Sequence, residues 1–487
     1  MGYATWADFL TELDRLGELQ RITAEVDPIL EITAIADRCV KRQGPALLFE
    51  HVKGSPYPVA INTFASPRRM ALALGVDSLD DIGRRIEELV TLPQALGRMS
   101  VGEKLRTGLE ALGLLPQLKP RIVREGRCQE IVETREPRLS ELPVLQCWPQ
   151  DGGRFITLPL VFTKDRRTGA RNCGMYRLQV YDDRTTGMHW HLHKGSSRSY
   201  QDYEAQGERM EVAVALGGDP ILTYCATAPL PDGIDEMMLA GFLRHRAVDL
   251  VQCKTVDLQV PASAEFVLEG YVEPHERRRE GPFGDHTGFY SLADDYPVFH
   301  LTAITRAAQP IYPTIIVGQP PMEDTYLGQA TERIFLPLVK LTMPEIVDYA
   351  MPLAGVFHNC VVVSIDKRYP MHARKICYAI WGTGQLMFSK FVIVVDQHVN
   401  VHDEQAVMWH VWNSVDPRRD TFVVDGPLDA LDHTCPQPAW GSKMGIDATK
   451  KWPSEGFARD WPDELTMTAE VEEKVDRMWA ELGLPAG

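Results

Sequence analysis

The middle third of the chain contains Ile156-Thr-Leu-Pro-Leu-Val-Phe162, Tyr176-Arg-Leu-Gln-Val-Tyr181 and Val212-Ala-Val-Ala-Leu216, the first of a series of short strand-like runs. The series continues with Phe266-Val-Leu-Glu-Gly270 and later runs. Glycine, aspartate and proline separate the runs, which is typical of strands joined by short turns. We therefore predict a largely antiparallel sheet or barrel for residues 119–318.

The regions on either side of this sheet alternate between helix and strand patterns. Residues 1–118 combine apolar residues at helical spacing, beginning at Trp6, with short buried strands. Residues 346–487 alternate helical segments with uniformly apolar strands, a pattern typical of a parallel sheet covered on both faces. We predict an N-terminal α/β domain, a central β domain, a linker with a connecting helix over 319–345, and a C-terminal α/β domain.

The composition argues against several classes of function. The 487 residues carry a formal net charge of −16, whereas nucleic-acid binding needs a broad basic surface, so we expect no nucleic-acid partner. Nine cysteines without a Cys-x-x-Cys pair argue against a thiolate zinc site and fit reduced thiols in a cytoplasmic protein. We expect neither a signal peptide nor a transmembrane segment, because the apolar runs are too short.

The densest candidate for a binding site is Met188-His-Trp-His-Leu-His-Lys194. On an extended strand, His189, His191 and His193 would lie on one face, because side chains alternate with a period of two. Imidazoles on one face can hold a transition metal or a phosphate, but the same pattern suits a solvated strand face. A metal-dependent hydrolase that uses this strand stays open as an alternative class of enzyme.

A second candidate is the turn Glu280-Gly-Pro-Phe-Gly-Asp285. This sequence cannot lie inside a helix, and such a turn can bring both acids toward one pocket. Mutual repulsion or burial would then raise the pKa of one carboxyl into the range of a general acid. An acidic surface loop explains the same residues equally well.

Three further polar residues have side chains suited to a site. Arg177 could bind a substrate carboxylate through two hydrogen bonds, and Asn172 offers a neutral oxygen to a metal. Glu236 lies near a predicted helix start, where the helix dipole alone also favours an acid. Each of these residues is compatible with an exposed position as well as with a site.

Five sequence segments, in order along the chain, resemble those of the UbiD family of prenylated-flavin decarboxylases. They are Arg-Asn-Cys-Gly-Met-Tyr-Arg (171–177), Met-His-Trp-His-Leu-His-Lys (188–194), Val-Pro-Ala-Ser-Ala-Glu-Phe-Val-Leu-Glu-Gly (260–270), Glu-Gly-Pro-Phe-Gly-Asp-His-Thr-Gly-Phe-Tyr (280–290) and Gly-Ser-Lys-Met-Gly-Ile-Asp-Ala-Thr-Lys-Lys-Trp-Pro (441–453). The resemblance covers essentially the whole chain. The sequence of these segments is most similar to the branch of the family that acts on hydroxyarene acids of quinone biosynthesis.

The resemblance implies a fold and a set of site residues. The central domain would be a flavin-reductase-like split β-barrel, and the C-terminal domain would mediate oligomerisation. The implied cofactors are prenylated FMN, Mn²⁺ or another divalent ion, and K⁺. The implied metal ligands are Asn172, His193 and Glu236, and the implied catalytic residues are Arg177, Glu280 and Asp285. The implied cofactor contacts are Asn172, Met175, Tyr176, Arg177, His189, Trp190, His191, Lys194 and Gly195.

The chemistry of the family explains why a cofactor is needed. Loss of CO₂ from an arene carboxylate leaves a carbanion for which no side chain can act as an electron sink. The resemblance implies reversible, non-oxidative decarboxylation of a small aromatic acid. Menaquinone or ubiquinone biosynthesis is the first expectation, and a heteroaromatic or polycyclic acid of catabolism is the alternative. It also implies a flavin prenyltransferase as cofactor supplier and a homodimer or homohexamer.

Overall fold

The computed structural model describes residues 2–98, 118–190, 195–230, 234–437, 439–479 and 481–482. Near the N-terminus it contains a four-stranded sheet of Leu19–Val26, Ala46–Val52, Val59–Ile61 and Tyr312–Pro313, in spatial order. The helices of this region are Trp6–Arg15, Glu31–Lys41, Pro67–Ala73 and Leu79–Arg98. The first helix begins at Trp6 because Thr5 and Asp8 form a capping box, and it buries Trp6 and Phe9 as the apolar spacing predicts.

A nine-stranded antiparallel sheet, curled into a half-barrel, occupies the middle of the chain. Its strands, in spatial order, are Arg154–Ile156, Leu178–Val180, Thr185–Gly187, Asp294–Arg306, Phe266–Glu280, Met210–Leu216, Leu160–Lys164 and Arg171–Gly174, and Ile131–Glu133 also pairs with Asp294–Arg306. Neighbouring strands of this sheet run antiparallel throughout. The predicted antiparallel sheet is confirmed, and its finer description as a split barrel stays a prediction.

Shorter elements accompany the central sheet. They are a three-stranded sheet of Gln259–Pro261, Asp249–Gln252 and Arg121–Val123, a two-stranded ladder of Phe283–Gly284 and Tyr290–Ser291, the 3₁₀ turns Arg127–Gln129 and Leu139–Glu141, and the helices Gly195–Ala205, Pro220–Cys225 and Glu236–Arg244. The last helix is the predicted helical insertion. It begins at Glu236 because the Asp235 side chain accepts a hydrogen bond from the Met237 N–H at 2.8 Å.

The C-terminal sheet is mixed, whereas the sequence predicted a parallel one. Its strands, in spatial order, are Ile346–Ala350, Cys360–Ile365, Phe391–Asp396, Trp440–Asp447 and Thr421–Pro427. The three inner strands are parallel to one another, and each edge strand is antiparallel to its neighbour. The prediction failed at the edges because residues 351–359 and 428–439 reverse the chain without the α-helical crossover that a parallel pair normally uses.

Helices precede, separate and follow the strands of this sheet in the sequence. They are Glu323–Thr342, His372–Trp381, Glu404–Ser414 and Ala469–Trp479, with 3₁₀ turns at Leu353–Gly355, Gly384–Phe388 and Pro453–Glu455. Among the described residues, no helix combines the length and the apolar character needed to cross a lipid bilayer.

The helix Glu323–Thr342 lies within residues 319–345, where the sequence predicts a connecting helix, and its first residue is anchored in the N-terminal region. The Glu323 carboxylate is 1% exposed. It accepts hydrogen bonds from the backbone N–H groups of Asn62 and Phe64 at 2.8 and 2.6 Å and from the Thr63 hydroxyl at 3.1 Å. Burial raises the pKa of Glu323 to about 7. This contact and the strand Tyr312–Pro313 connect parts of the chain that are far apart in the sequence. The domain boundaries predicted from the sequence stay predictions.

We expect Glu323→Ala to lower the free energy of unfolding by about 3 kcal/mol, because three buried donors lose their acceptor. Chemical unfolding monitored by circular dichroism measures the effect. The matched control is Glu470→Ala, which removes an exposed glutamate and should leave the unfolding curve unchanged. Equal stability of both variants and the parent protein would contradict the anchoring role of Glu323.

Candidate active site

The centre of the candidate site is the guanidinium of Arg177, which is 9% exposed. Its Nε and Nη2 atoms donate to the two oxygens of Glu280 at 2.8 and 3.2 Å, and Nη1 donates to Asp285. The Phe283 ring lies 4.6 Å from the guanidinium carbon, at cation–π distance. The two acids and the arginine that the sequence singled out therefore share one buried cluster.

The local backbone explains how the two acids reach the same cation. Glu280 is the last residue of the long strand Phe266–Glu280, and the Gly281–Pro282 peptide bond that follows is cis. Gly281 has φ of +90°, a conformation that glycine adopts without strain, and its N–H donates to the Gln179 side chain at 2.7 Å. The predicted turn is present, and it returns the chain to Arg177 at Asp285.

The charge state of the acids differs from the sequence prediction, which expected one raised pKa. Burial alone would raise both pKa values. A hydrogen bond with His189 and the Arg177 charge outweigh it at Glu280 and lower its pKa to about 2. Arg177 and His286 likewise hold the pKa of Asp285 well below its usual range. The prediction was wrong because it placed two acids together and did not include the cation between them.

His189, one of the three histidines in the sequence motif, contacts this cluster directly. Its Nδ1 lies 3.1 Å from a Glu280 oxygen, and its ring packs against Tyr296 with 4.2 Å between centroids. Burial and the Arg177 charge lower the pKa of His189, which favours the neutral imidazole. Residues 188–190 are not in a strand, and His191 and His193 lie outside the described residues.

A pair of histidines extends the cluster toward the C-terminal region. The His286 Nδ1 lies 2.8 Å from the second oxygen of Asp285, and its Nε2 lies 2.6 Å from the Nε2 of His358. Burial opposes protonation of His286, but Asp285 outweighs it and raises the pKa of His286. Burial and the neighbouring His286 lower the pKa of His358 to about 4. The pair therefore favours a proton on His286 and a neutral His358.

The predicted metal ligands are only partly covered by the described residues. A Glu236 oxygen accepts a hydrogen bond from the Cys173 N–H at 3.0 Å, which brings its carboxylate next to the strand residue after Asn172. Burial raises the pKa of Glu236 to about 7, and the nearby Arg171 is already paired with Asp235 at 2.6 Å. A bound cation would stabilise the charged form of this partly buried carboxylate. His193, the third predicted ligand, lies outside the described residues.

The other predicted cofactor contacts lie around Arg177. Tyr176 and Trp190 are buried, Met175 is partly buried, and Gly195 begins the helix Gly195–Ala205. The Trp190 indole N–H is buried and has no acceptor within the described part of the chain, which suits a polar ligand at this position. Lys194, like His191, lies outside the described residues.

Sequence reasoning missed His286 and His358. His286 lies in the segment 280–290, directly after Asp285, and this adjacency could have identified it as a candidate. His358 precedes the strand Cys360–Ile365 by two residues, and nothing in its local sequence links it to a turn 72 residues earlier.

The sequence matches the family models of three consecutive carboxy-lyase domains. These are the N-terminal, Rift-related and C-terminal domains of 3-octaprenyl-4-hydroxybenzoate carboxy-lyase, matched by residues 10–86, 121–320 and 325–448. The protein is therefore a carboxy-lyase, in agreement with the buried arginine–carboxylate cluster. The chain belongs to the UbiD family.

Individual relatives agree with this assignment. An uncharacterized protein of Archaeoglobus fulgidus is 49% identical, with 99% of each chain covered. The closed form of vanillic acid decarboxylase from Sedimentibacter hydroxybenzoicus is 29% identical with a TM-score of 0.84, and 99% of each chain is covered. The UbiD-class enzyme HmfF of Pelotomaculum thermopropionicum, solved in complex with FMN, is 30% identical with a TM-score of 0.77 over 94% of this chain and 97% of that one.

We expect His358 to make the protein less stable as the pH falls from about 6.5 toward 4. Its pKa is lowered in the folded state, so the unfolded chain binds more protons in this window and stability rises with pH. In His358→Gln, the drop in Tm between pH 7 and pH 5 should be smaller by roughly 2–5 °C. His51→Gln, which changes an exposed histidine, is the control. An unchanged pH dependence in His358→Gln would contradict the buried neutral imidazole.

Proposed function

We propose that the protein catalyses the non-oxidative decarboxylation of an aromatic, hydroxyarene carboxylic acid with prenylated FMN. The observation that carries the proposal is the buried Arg177, which holds Glu280 and Asp285 in one cluster under the Phe283 ring. A guanidinium suits a substrate carboxylate because the two groups form paired hydrogen bonds. Two adjacent acids supply groups that can move a proton to the ring carbon that loses CO₂.

Substrate binding would change the charge state of the cluster. A substrate carboxylate that contacts Arg177 competes with Asp285 for the same cation, and Asp285 then becomes more basic. Glu280 keeps the His189 contact at 3.1 Å, which favours its carboxylate form. Of the two predicted proton donors, Asp285 is therefore the one whose pKa substrate binding can raise into the working range.

The neighbouring histidines would replenish this proton. His286 Nδ1–H donates to Asp285 across 2.8 Å, and it can pass its proton to that carboxylate. Asp285 then protonates the ring carbon, which retains the electron pair when CO₂ leaves. His358, 2.6 Å from the other side of His286, would accept the His286 Nε2–H, which leaves the Nδ1 proton directed at Asp285, and solvent would restore the proton that His286 gives up. The net reaction consumes one proton from solvent and releases CO₂.

The prenylated flavin, when bound, would supply the electron sink that no side chain offers. The residues that would hold it are Asn172, Met175, Tyr176, Arg177, His189, Trp190, His191, Lys194 and Gly195. The unpaired indole N–H of Trp190, noted above for the described part of the chain, supports a polar ligand there. Structures of HmfF with FMN and with prenylated FMN support the choice of cofactor.

A divalent cation, with Mn²⁺ as the first choice, would be bound by Asn172, His193 and Glu236, and K⁺ would lie nearby. The donor set of one amide oxygen, one imidazole and one carboxylate suits such an ion. Its positive charge would allow a flavin phosphate to be buried in a protein of net charge −16. The partly buried Glu236, whose pKa desolvation raises to about 7, supports a cation at this position.

We expect Glu236→Gln to lose most of its bound divalent metal and to retain at least 10-fold less flavin, because the amide lacks the negative charge that holds the cation. Metal analysis and the flavin absorbance of protein co-expressed with a flavin prenyltransferase measure both losses. The matched control is Glu276→Gln on the central sheet. Full metal and flavin content in Glu236→Gln would contradict the proposed ligand.

The substrate is proposed to be a hydroxyarene acid. The family model is named for a 4-hydroxybenzoate carboxy-lyase, and a structural neighbour decarboxylates vanillic acid, which is also a phenolic acid. A dihydroxynaphthoate and a polyprenyl hydroxybenzoate are the first two choices, which would give the protein a role in quinone biosynthesis. We also propose a cytoplasmic homodimer or homohexamer assembled through the C-terminal region, which exposes Trp412, Met478 and Trp479.

CO₂ release from a panel of hydroxybenzoates, hydroxynaphthoates and heteroaryl acids tests this function with the reconstituted enzyme. We expect turnover of a hydroxyarene acid and a loss of at least 100-fold in Arg177→Lys, because a single ammonium cannot bind both a carboxylate and Glu280 in paired geometry. The control is Arg279→Lys, which alters an exposed arginine of the strand Phe266–Glu280. Turnover of heteroaryl acids alone would reassign the substrate class, and full activity of Arg177→Lys would overturn the proposed site.

A further inference from the structure

A second group of potential metal ligands lies in the C-terminal region, apart from the residues of the candidate active site. His398 follows the strand Phe391–Asp396, His410 lies in the helix Glu404–Ser414, and Glu464 lies in the extended segment before the helix Ala469–Trp479. One ligand atom of each residue is within 4.8 Å of the other two. Among the described residues, this is the one group of three or more such side chains that meets this spacing.

The two distances from Glu464 to the imidazoles are close to those around a tetrahedral ion. One Glu464 oxygen lies 3.1 Å from the His398 Nε2 and 3.7 Å from the His410 Nδ1. Ligands about 2.0–2.1 Å from a tetrahedral Zn²⁺ are about 3.3 Å from one another, between these two values. A hydrogen bond explains only the shorter contact, because 3.7 Å exceeds hydrogen-bonding distance.

The electrostatic setting also favours a cation. Within the described chain, no lysine or arginine nitrogen lies within 4 Å of the Glu464 carboxylate, whose ionic contacts are the two imidazoles. Asp396 adds a further negative charge near His410. The His410 side chain is 11% exposed, while His398 and Glu464 are 56% and 41% exposed. An ion can therefore enter from solvent, and a water can complete its coordination.

The segment that carries Glu464 has few other contacts to hold it. Residues 462–470 are all exposed. Before them, Phe457 contacts the Trp461 ring and the Arg419 guanidinium at 5.1 and 5.2 Å. A solvent-exposed ion pair contributes only about 0–1 kcal/mol, which is little for fixing an extended segment. Metal coordination would provide a far stronger attachment.

We propose that His398, His410 and Glu464 bind a Zn²⁺ ion, with water as the fourth ligand, and that this ion fastens the C-terminal segment to the helix Glu404–Ser414. Two imidazoles and one carboxylate form a nitrogen–oxygen ligand set suited to Zn²⁺. The ion is separate from the divalent cation proposed for the cofactor, since the two sets share no residue.

Zinc binding by the full-length protein tests the proposal. The protein is stripped with a chelator and titrated with Zn²⁺, in a Glu236→Gln background that removes the proposed cofactor-site ligand. We expect one equivalent of Zn²⁺ to bind in this background. Glu464→Gln and His398→Ala should each raise the Kd for Zn²⁺ at least 10-fold. His402→Ala, which changes a neighbouring histidine directed at Asp348, should keep the full equivalent.

Two further readouts distinguish coordination from a hydrogen bond. Co²⁺ in place of Zn²⁺ should give the visible absorption of a tetrahedral ion, and Glu464→Gln should abolish it. Zn²⁺ should slow proteolytic cleavage within residues 457–468 several-fold in the parent protein and not in Glu464→Gln. Equal Zn²⁺ affinity in all variants, or protection from proteolysis that is independent of Zn²⁺, would overturn the proposal. Decarboxylase activity plays no part in these outcomes, so failure here is distinguishable from failure of the proposed function.

Discussion

The structure depends on one constraint, which is that the buried guanidinium of Arg177 needs negative partners. An unpaired charge at 9% exposure is too costly to keep, and the two acids would be equally costly without the cation. The fold meets this demand by ending its longest strand at Glu280 and turning the chain back at Asp285. Removing any member leaves a buried charge behind, so the same contacts that hold the turn also define the site.

This constraint extends into the C-terminal region through Asp285. One oxygen of Asp285 faces Arg177 and the other faces His286, which in turn contacts His358 near the strand Cys360–Ile365. A change of charge at Asp285 therefore alters the proton affinity of His286 and then of His358. The Arg177 guanidinium and the C-terminal region are therefore coupled electrostatically over two imidazole rings, so the charge state of this cluster is linked to how these parts of the chain pack.

The sequence predicted the features that local patterns determine. Runs separated by turn residues indicated the antiparallel central sheet. The helical spacing of apolar residues from Trp6 indicated the first helix, and the segment 280–290 indicated a turn between two acids. The sequence-based predictions failed where contacts between distant residues determine the structure. The charge state of Glu280 depends on Arg177, 103 residues away, and the edge strands of the C-terminal sheet run antiparallel because of their connections. The predicted roles of His191, His193 and Lys194 stay predictions.

In a chain of net charge −16, the local supply of cations decides how each acid behaves. Glu280 is buried and Glu236 is partly buried in the central region. The Arg177 charge and a hydrogen bond with His189 outweigh burial at Glu280 and leave its pKa at about 2, whereas desolvation raises the pKa of Glu236 to about 7. The difference arises because Arg171, the cation near Glu236, is already engaged by Asp235. A buried acid without its own cation is where a metal ion contributes most, since it supplies the missing charge at the point of greatest cost.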